Sequence, residues 1–324
     1  MQQVEMEQTM TSICIRSLNL KDREVSSSDE GTDDESPTGF PDAGDSRKEF
    51  TEYCCEWWTT HYSLSQDASR EYTFQDALTL YNTEGEAFKF WFDGFWTKTR
   101  QYDSARSMTP IRLAALSNHK RVLRHFLDKA GVDVDASDED GRTALYRASE
   151  LGHNRIVQML LDSGAEVDAR GGYYGNALQA ALANGHDNIV HMLLDRGADI
   201  NAQGRAYGNA LQAASHKGQD KVVQNLLDRG VDVNAQTGPY GNALRVASHR
   251  GHDKIVQMLL DATTDVHAQG GHYGNALQAA SARGHDKIVQ MLLYRSKVAL
   301  GRGYDRIIGI LLVSGALLLQ KVLF

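Results

Sequence analysis

A chain of 324 residues with a formal net charge of −8 and three cysteines has room for one long array of small units plus a lesser region. Its net negative charge and the lack of a basic arm argue against general nucleic-acid binding. Cys14, Cys54 and Cys55 are too few for a disulfide framework and point to a reducing, intracellular compartment, cytoplasmic with the nucleus left open.

The opening MQQVEMEQTM has neither the basic flank nor the apolar core of a signal peptide. Residues 1–20 are compositionally mixed, and KDREVSSSDEGTDDESPTGFPDAGDSRKE follows over 21–49. So polar and acidic a segment cannot bury enough apolar surface to order itself, and residues 1–49 read as a disordered acidic leader. Ser26 and Ser27 each have an acid three residues on, which would suit an acid-directed kinase; a solvated linker is the plainer reading.

From Phe50 to about residue 105 the character changes. All four tryptophans, Trp57, Trp58, Trp91 and Trp96, fall here. FTEYCCEWWTTHY sets Phe50, Tyr53, Cys54, Trp57 and Trp58 at helical spacing, and EAFKFWFDGFWTK is a second aromatic run. Two or three helices would use these rings as a small core, capping the first repeat. A stacking platform for bases would need interleaved basic residues, and few are present. Cys54 and Cys55 read as buried thiols.

Beyond this the chain repeats itself. GNALQAALANGHDNIVHMLLDRGADINAQ begins at Gly175 and returns in close copies from Gly208, Gly241 and Gly274, 33 residues apart each time. Such a period marks stacked units. Within one copy Asn176 is a strong N-cap, and Gln179 three residues later completes a capping-box pattern. Gly185 suits a left-handed C-cap. Ile189, Val190, Leu193 and Leu194 make one apolar face of a second helix. No unit can bury that face alone, so stability becomes a sum of neighbour interfaces. The unit from Thr109 is one residue longer, 34 to Thr143, and places Asn118 where later copies have glycine. After glycine, Asn best tolerates the left-handed conformation.

These residues resemble the ankyrin repeat, whose opening is nearest in Thr109-Pro110-Ile111-Arg112-Leu113-Ala114-Ala115. The later copies put Asn-Ala-Leu-Gln or Asn-Ala-Leu-Arg in place of the family's Thr-Pro-Leu-His, with Asn able to supply the capping oxygen. The resemblance implies an all-α ankyrin-repeat solenoid of helix-turn-helix units with hairpin fingers, over residues 106–295. The wording YGNALQAAS-x-x-GH-D-K-IVQMLL is similar to the C-terminal arrays of fungal NACHT-type proteins. FTEYCCEWWTTHY also resembles the F-x-x-Y-A-x-x-x-W-x-x-H segment that leads into them.

After Leu293 the pattern fails. Gly303–Leu312 matches Gly284–Leu293 at an offset of 19 rather than 33, as if a unit had lost its front half. Residues 296–324 therefore read as a degenerate terminal repeat with an apolar tail. A tail anchor would need about 20 apolar residues, and Ile307–Leu319 supplies 13. A truncated or mis-spliced product is the other reading.

Catalytic patterns are missing: no G-x-x-x-x-G-K-[ST], G-x-S-x-G or H-E-x-x-H occurs. His153, His186, His252 and His285 recur at one position of successive units. Packed helices lie about 8–10 Å apart, so neighbouring copies cannot share a zinc ion; these rings should instead satisfy backbone groups at the inter-helix turn. No enzyme activity, metal or cofactor is expected, nor a small-molecule substrate.

What varies between copies marks the expected binding face, because the resemblance implies that finger tips and inner-helix ends touch partners. These positions hold Tyr173, Arg205, Pro239 and His272 at the tips, and His216, Lys217, His249, Arg250 and Arg283 at the helix ends. Tyr174, Tyr207, Tyr240 and Tyr273 recur beside the tips, either as finger-to-finger packing or as an aromatic ladder for a partner. The basic residues should form a strip suited to a protein partner with an acidic or extended polar segment, the chain's own residues 22–49 among the candidates. The function expected is non-catalytic protein–protein recognition, as sensor or scaffold in NACHT-like signalling. The alternative is a soluble regulator that competes with a full-length ankyrin receptor.

Overall fold

The computed structural model describes residues 2–24, 43–66, 71–85, 87–92, 108–204, 206–238, 241–262, 264–270 and 274–300. Among them the regular structure is helical, with isolated bridges at Gly171–Gly175 and Gly204–Gly208. The chain divides into two compact units, Met1–Glu166 and Val167–Phe324.

The first unit begins with helix α1, Gln2–Glu24, packed on α2, Ala43–Ser65, and on α3, Glu71–Thr79. The leader expected to be disordered over 1–49 is therefore helical along much of its length. Polar residues hid this helix, because its buried face is narrow. Cys14, Ile15 and Leu18 are fully buried, and Thr11 is buried against Ser65, hydroxyl to hydroxyl at 3.1 Å. Glu7 reaches His61 Nδ1 at 2.5 Å, and His61 Nε2 meets Tyr53 Oη at 2.7 Å. The acidic stretch 25–42, with Ser26 and Ser27, lies outside the described residues.

The aromatics form a core. Trp58, Tyr62, Tyr81 and Trp91 are all but fully buried, with Trp58 edge-on to Trp91 at 5.0 Å. Trp91 Nε1 donates to Leu80 O at 3.0 Å, which satisfies its one polar group. Cys54 and Cys55 are buried thiols. Trp57, by contrast, is exposed, and Trp96 lies outside the described residues. Two helical hairpins complete the unit: Pro110–Leu116 with Lys120–Leu127, and Ala144–Leu151 with Asn154–Asp162.

The second unit is four such hairpins. Their first, inner helices are Ala177–Asn184, Ala210–Lys217, Ala243–Arg250 and Ala276–Ala282, stacked in order. Small side chains make this close stacking possible: Ala180, Ala213 and Ala247 are fully buried. The outer helices Asp187–Asp195, Asp220–Asp228 and Asp253–Asp261 bury Ile or Val pairs such as Ile255 and Val256 beneath Leu259 and Leu260. In every inner helix the cap is as its sequence dictates. Thr109, Thr143, Asn176, Asn209, Asn242 and Asn275 each accept a backbone N–H three residues on. The reciprocal half of the box forms at Gln212 and Gln278 but not at Gln179, whose amide donates to Ala202 O at 3.1 Å as that of Gln212 does to Ala235 O at 3.0 Å.

Within the second unit, loops of successive repeats are stitched by a recurring side chain. Asp168, Asn201 and Asn234 accept from the backbone N–H of Asp199, Asp232 and Asp265, one repeat further on, at 3.0, 3.2 and 2.8 Å. The final helix, Asp286–Leu300, does not stop where its predecessors do. Tyr294 stands at the place of Asp261, and Arg295-Ser296-Lys297 replaces the Ala262-Thr263-Thr264 that follows the earlier helix. The expected boundary at 295/296 thus falls inside a helix; residues 301–324, with the shifted match and the apolar tail, lie outside the described residues.

Candidate partner-binding face

The inner-turn histidine is the first functional-looking group the fold explains. His153 Nε2 donates to Leu116 O at 3.2 Å, His252 to His216 O at 3.4 Å and His285 to His249 O at 3.2 Å. Each ring reaches back to a carbonyl at the end of the preceding inner helix, where intrahelical donors have run out. The glycine at the end of the preceding repeat's inner helix must be glycine twice over. Gly218 sits at φ +76, and a Cβ there would come within 2.7 Å of the His252 ring. These are scaffold residues. Among the described residues no group of three or more His, Cys, Asp or Glu could hold a metal ion.

His119 holds the same place in the first hairpin, and sequence reasoning passed over it. Its Nε2 donates at 2.7 Å to Thr59 O, in α2, rather than to the end of an inner helix. That fixes the tautomer: Nδ1 accepts from Tyr81 Oη at 2.6 Å. Burial, opposed by the Thr59 bond and aided by His153, draws its pKa down to about 3. A signal was present in the sequence: His119 lies 34 residues before His153, with aromatic residues upstream to enclose it.

The expected face lies on the second unit. Tyr173 is exposed at a finger tip, 5.2 Å from Tyr174. Tyr174 stacks on Tyr207 at 6.4 Å with planes 6° apart. Tyr207 lies 4.8 Å from His216, and Lys217 Nζ hovers 5.8 Å from its ring centroid. The tip residues Arg205, Pro239 and His272, and Tyr240 and Tyr273, lie outside the described residues.

At the helix ends each arginine reaches back to the histidine of the preceding repeat. The Arg250 guanidinium donates to His216 Nε2, and Arg283 Nη2 to His249 Nε2 at 3.0 Å. Burial first, then Arg250 and Lys217, hold His216 down to about 4. Burial, then Arg283 and Arg250, lower His249 as well. Both rings are thus neutral acceptors at neutral pH. The cations are Lys217, Arg250 and Arg283, all exposed, and each histidine orients the arginine of the next repeat.

Hairpins of 33 residues, capped at Thr or Asn, with a finger between them, define a class of stacked-repeat proteins. A family model described as ankyrin repeats (3 copies) matches residues 78–171, 171–237 and 210–301. The chain belongs to the ankyrin-repeat proteins. Among solved structures, it is similar to an ankyrin repeat domain from Acinetobacter baumannii. That match is 30% identical over 58% of this chain and 97% of the other, with a TM-score of 0.53. It shares the fold of the human ASB11 ankyrin repeat domain, at 22% identity over 59% of this chain and 85% of that one, TM-score 0.52. A search of curated proteins finds no match. Ankyrin repeats are in general non-catalytic modules that bind protein partners. No described helix is long and apolar enough to cross a membrane.

Proposed function

We propose that the second unit recognises a protein partner on its finger and inner-helix face, and that the partner presents an acidic or extended polar segment. The observation that carries this is the row of Lys217, Arg250 and Arg283. Each is exposed, and two of the three are oriented by a neutral histidine rather than neutralised by an acid. A guanidinium held by a neutral acceptor keeps its full charge and most of its donors for an incoming carboxylate. Tyr173, Tyr174 and Tyr207 border the row with the amphipathic rings that dominate interface energetics. In its finer form the proposal places this recognition in NACHT-like signalling, as sensor or scaffold. That rests on the array's wording and on the FTEYCCEWWTTHY segment. Trp58 fills the core, and Tyr53 and His61 form a chain to Glu7, so the segment has a structural reason for its pattern.

Crosslinking followed by mass spectrometry would identify the partner. Charge reversal at Lys217 and Arg250 together should weaken its binding and flatten the salt dependence. Unchanged affinity would remove the proposal. Capture of an ATPase-bearing ankyrin homologue would favour the competing-regulator reading over a receptor role.

A further inference from the structure

The inner helix Ala243–Arg250 carries a charge where its neighbours carry an amide. Gln179, Gln212 and Gln278 occupy the third position after the N-cap; here that residue is Arg245. It is 4% exposed, and its Nε is enclosed with no hydrogen-bond partner. Among the described residues no ion pair or hydrogen bond reaches its guanidinium. A buried charge in that state is costly. Burial draws its pKa below the ordinary arginine value.

Other repeats show what belongs beside it. The finger residue that closes each hairpin faces this helix position. Backbone bonds set the register, from Asp138 N to Arg142 O at 3.2 Å, Gly204 N to Gly208 O at 2.6 Å and Gly270 N to Gly274 O at 2.9 Å. In the first repeat the finger residue is Asp138, and its Oδ2 accepts from Arg112 Nη2 at 2.7 Å, both side chains 3% exposed. Thr237 Oγ1 donates to Gln212 Oε1 at 2.7 Å. At Gly204 a Cβ would lie 3.0 Å from Gln179 Cγ. Opposite Arg245 stands Gly270. A Cβ there would meet nothing nearer than Gly241 Cα, at 3.7 Å, while one on Gly241 would lie 3.0 Å from Arg245 Nε. The arginine of the first repeat has been kept, its aspartate is absent, and a Cβ at Gly270 would meet Gly241 Cα and Gln236 Oε1 at ordinary contact distance, without a clash.

We propose that Arg245 is a carboxylate-docking site. An aspartate or glutamate of the protein partner enters over Gly270 and supplies between chains the ion pair that Asp138 gives Arg112 within one chain. This rests on the reading of the finger and inner-helix face as the partner's. It adds one deep, directional contact to the exposed cations, and a fork-shaped donor suits a carboxylate there.

The test uses the full chain, with Arg245→Gln and Gly270→Asp. The first installs the residue of three sibling repeats, and the second installs the residue that pairs with Arg112. The probe is a fluorescein-labelled ten-residue glutamate peptide, with a ten-residue lysine peptide as control and inorganic phosphate as competitor. The unsubstituted protein should bind the glutamate peptide, and each variant should bind it at least ~10-fold more weakly. Gly270→Asp should also raise the melting temperature by roughly 3 °C, since the missing carboxylate is then present within the chain. Two variants that bind like the unsubstituted protein, or a Gly270→Asp that lowers the melting temperature, would overturn the proposal. Loss of binding in the Lys217 and Arg250 reversals alone would leave the wider reading standing and sink this one. Failure of the unsubstituted protein to bind the peptide would also sink it, while the wider reading would still be judged on the crosslinked partner. Displacement by phosphate as readily as by free glutamate would overturn the carboxylate assignment in favour of a general anion site.

Discussion

The first repeat and the repeats of the second unit solve one problem with two chemistries. Each must tie a finger to the start of an inner helix. Near Thr109 the tie is ionic: Asp138 takes Arg112 at 2.7 Å and Arg142 Nε at 2.7 Å, and its other oxygen accepts the Arg142 backbone N–H at 2.8 Å. Near Asn209 it is an amide: Gln212 donates to Ala235 O at 3.0 Å and to Gly241 O, and accepts from Asn209 N at 2.8 Å. Matching architecture therefore does not imply matching vulnerability. A buried ion pair is strong only while both charges are present, and breaking it strands the survivor. An amide has no charge to lose.

The sharpest way to break this comparison is Asp138→Asn. Arg112, buried against that carboxylate, would then lose its ion pair with Asp138, at a cost of about 3–5 kcal/mol. Gln212→Ala, the matching change in the second unit, forfeits neutral hydrogen bonds worth about 1–3 kcal/mol. Chemical denaturation of each variant, with hydrogen exchange to assign the loss to residues 108–162 or 207–262, separates the two. Equal costs would mean that the ionic tie contributes no more than the amide.

Acid should separate the units next. Burial alone would raise the Asp138 pKa, but hydrogen bonds from Arg142 and the charges of Arg112 and Arg142 outweigh it and hold it below its ordinary value. Its stabilisation is present above the ordinary value and disappears as pH falls through the depressed one. His119 is depressed to about 3. It contributes fully while neutral, above its unfolded value of about 6.5, and loses that contribution between there and its folded value. By pH 4 this amounts to about 3 kcal/mol. His216 and His249 are depressed too, but they are only partly buried and solvent screening shrinks their share. Amides of 110–127 should therefore lose exchange protection at a higher pH than those of 210–228. The reverse order would show that the His119 pocket does not govern the first unit.

Much of this was legible in the chain. The 33-residue period, the Asn and Thr caps and the histidine reach to a carbonyl all follow from local chemistry repeated in register, because short-range rules act within each copy. What escaped depends on long-range partners. Helix α1 buries a narrow face, and Thr11 and Glu7 serve it through Ser65 and His61, more than fifty residues away. The five-residue basic strip shrank to three cations because neighbours decide whether His216 and His249 carry charge. Arg245 reads in the sequence only as a variant of the Asn-Ala-Leu-Gln opening, and Asp138 shows what the same position holds when an arginine is satisfied.

Asn118 offers the finest test, because it isolates conformation from contact. It is the sole non-glycine at positive φ among the described residues, at 57°, where later repeats use glycine. Its carbonyl accepts from Gln66 Nε2 at 2.8 Å, a bond that any side chain there preserves. Asn118→Ala should thus cost only the left-handed penalty, about 1 kcal/mol, and Asn118→Gly should leave stability within a few tenths of a kcal/mol, relieved strain offset by a freer unfolded chain. The converse change in the second unit, Gly218→Asn, should cost more than Asn118→Ala, since its Cβ would collide with the His252 ring. If Gly218→Asn cost no more than Asn118→Ala, the glycine of the second unit would be needed at most for its backbone angle, and the histidine packed over it would impose no demand of its own.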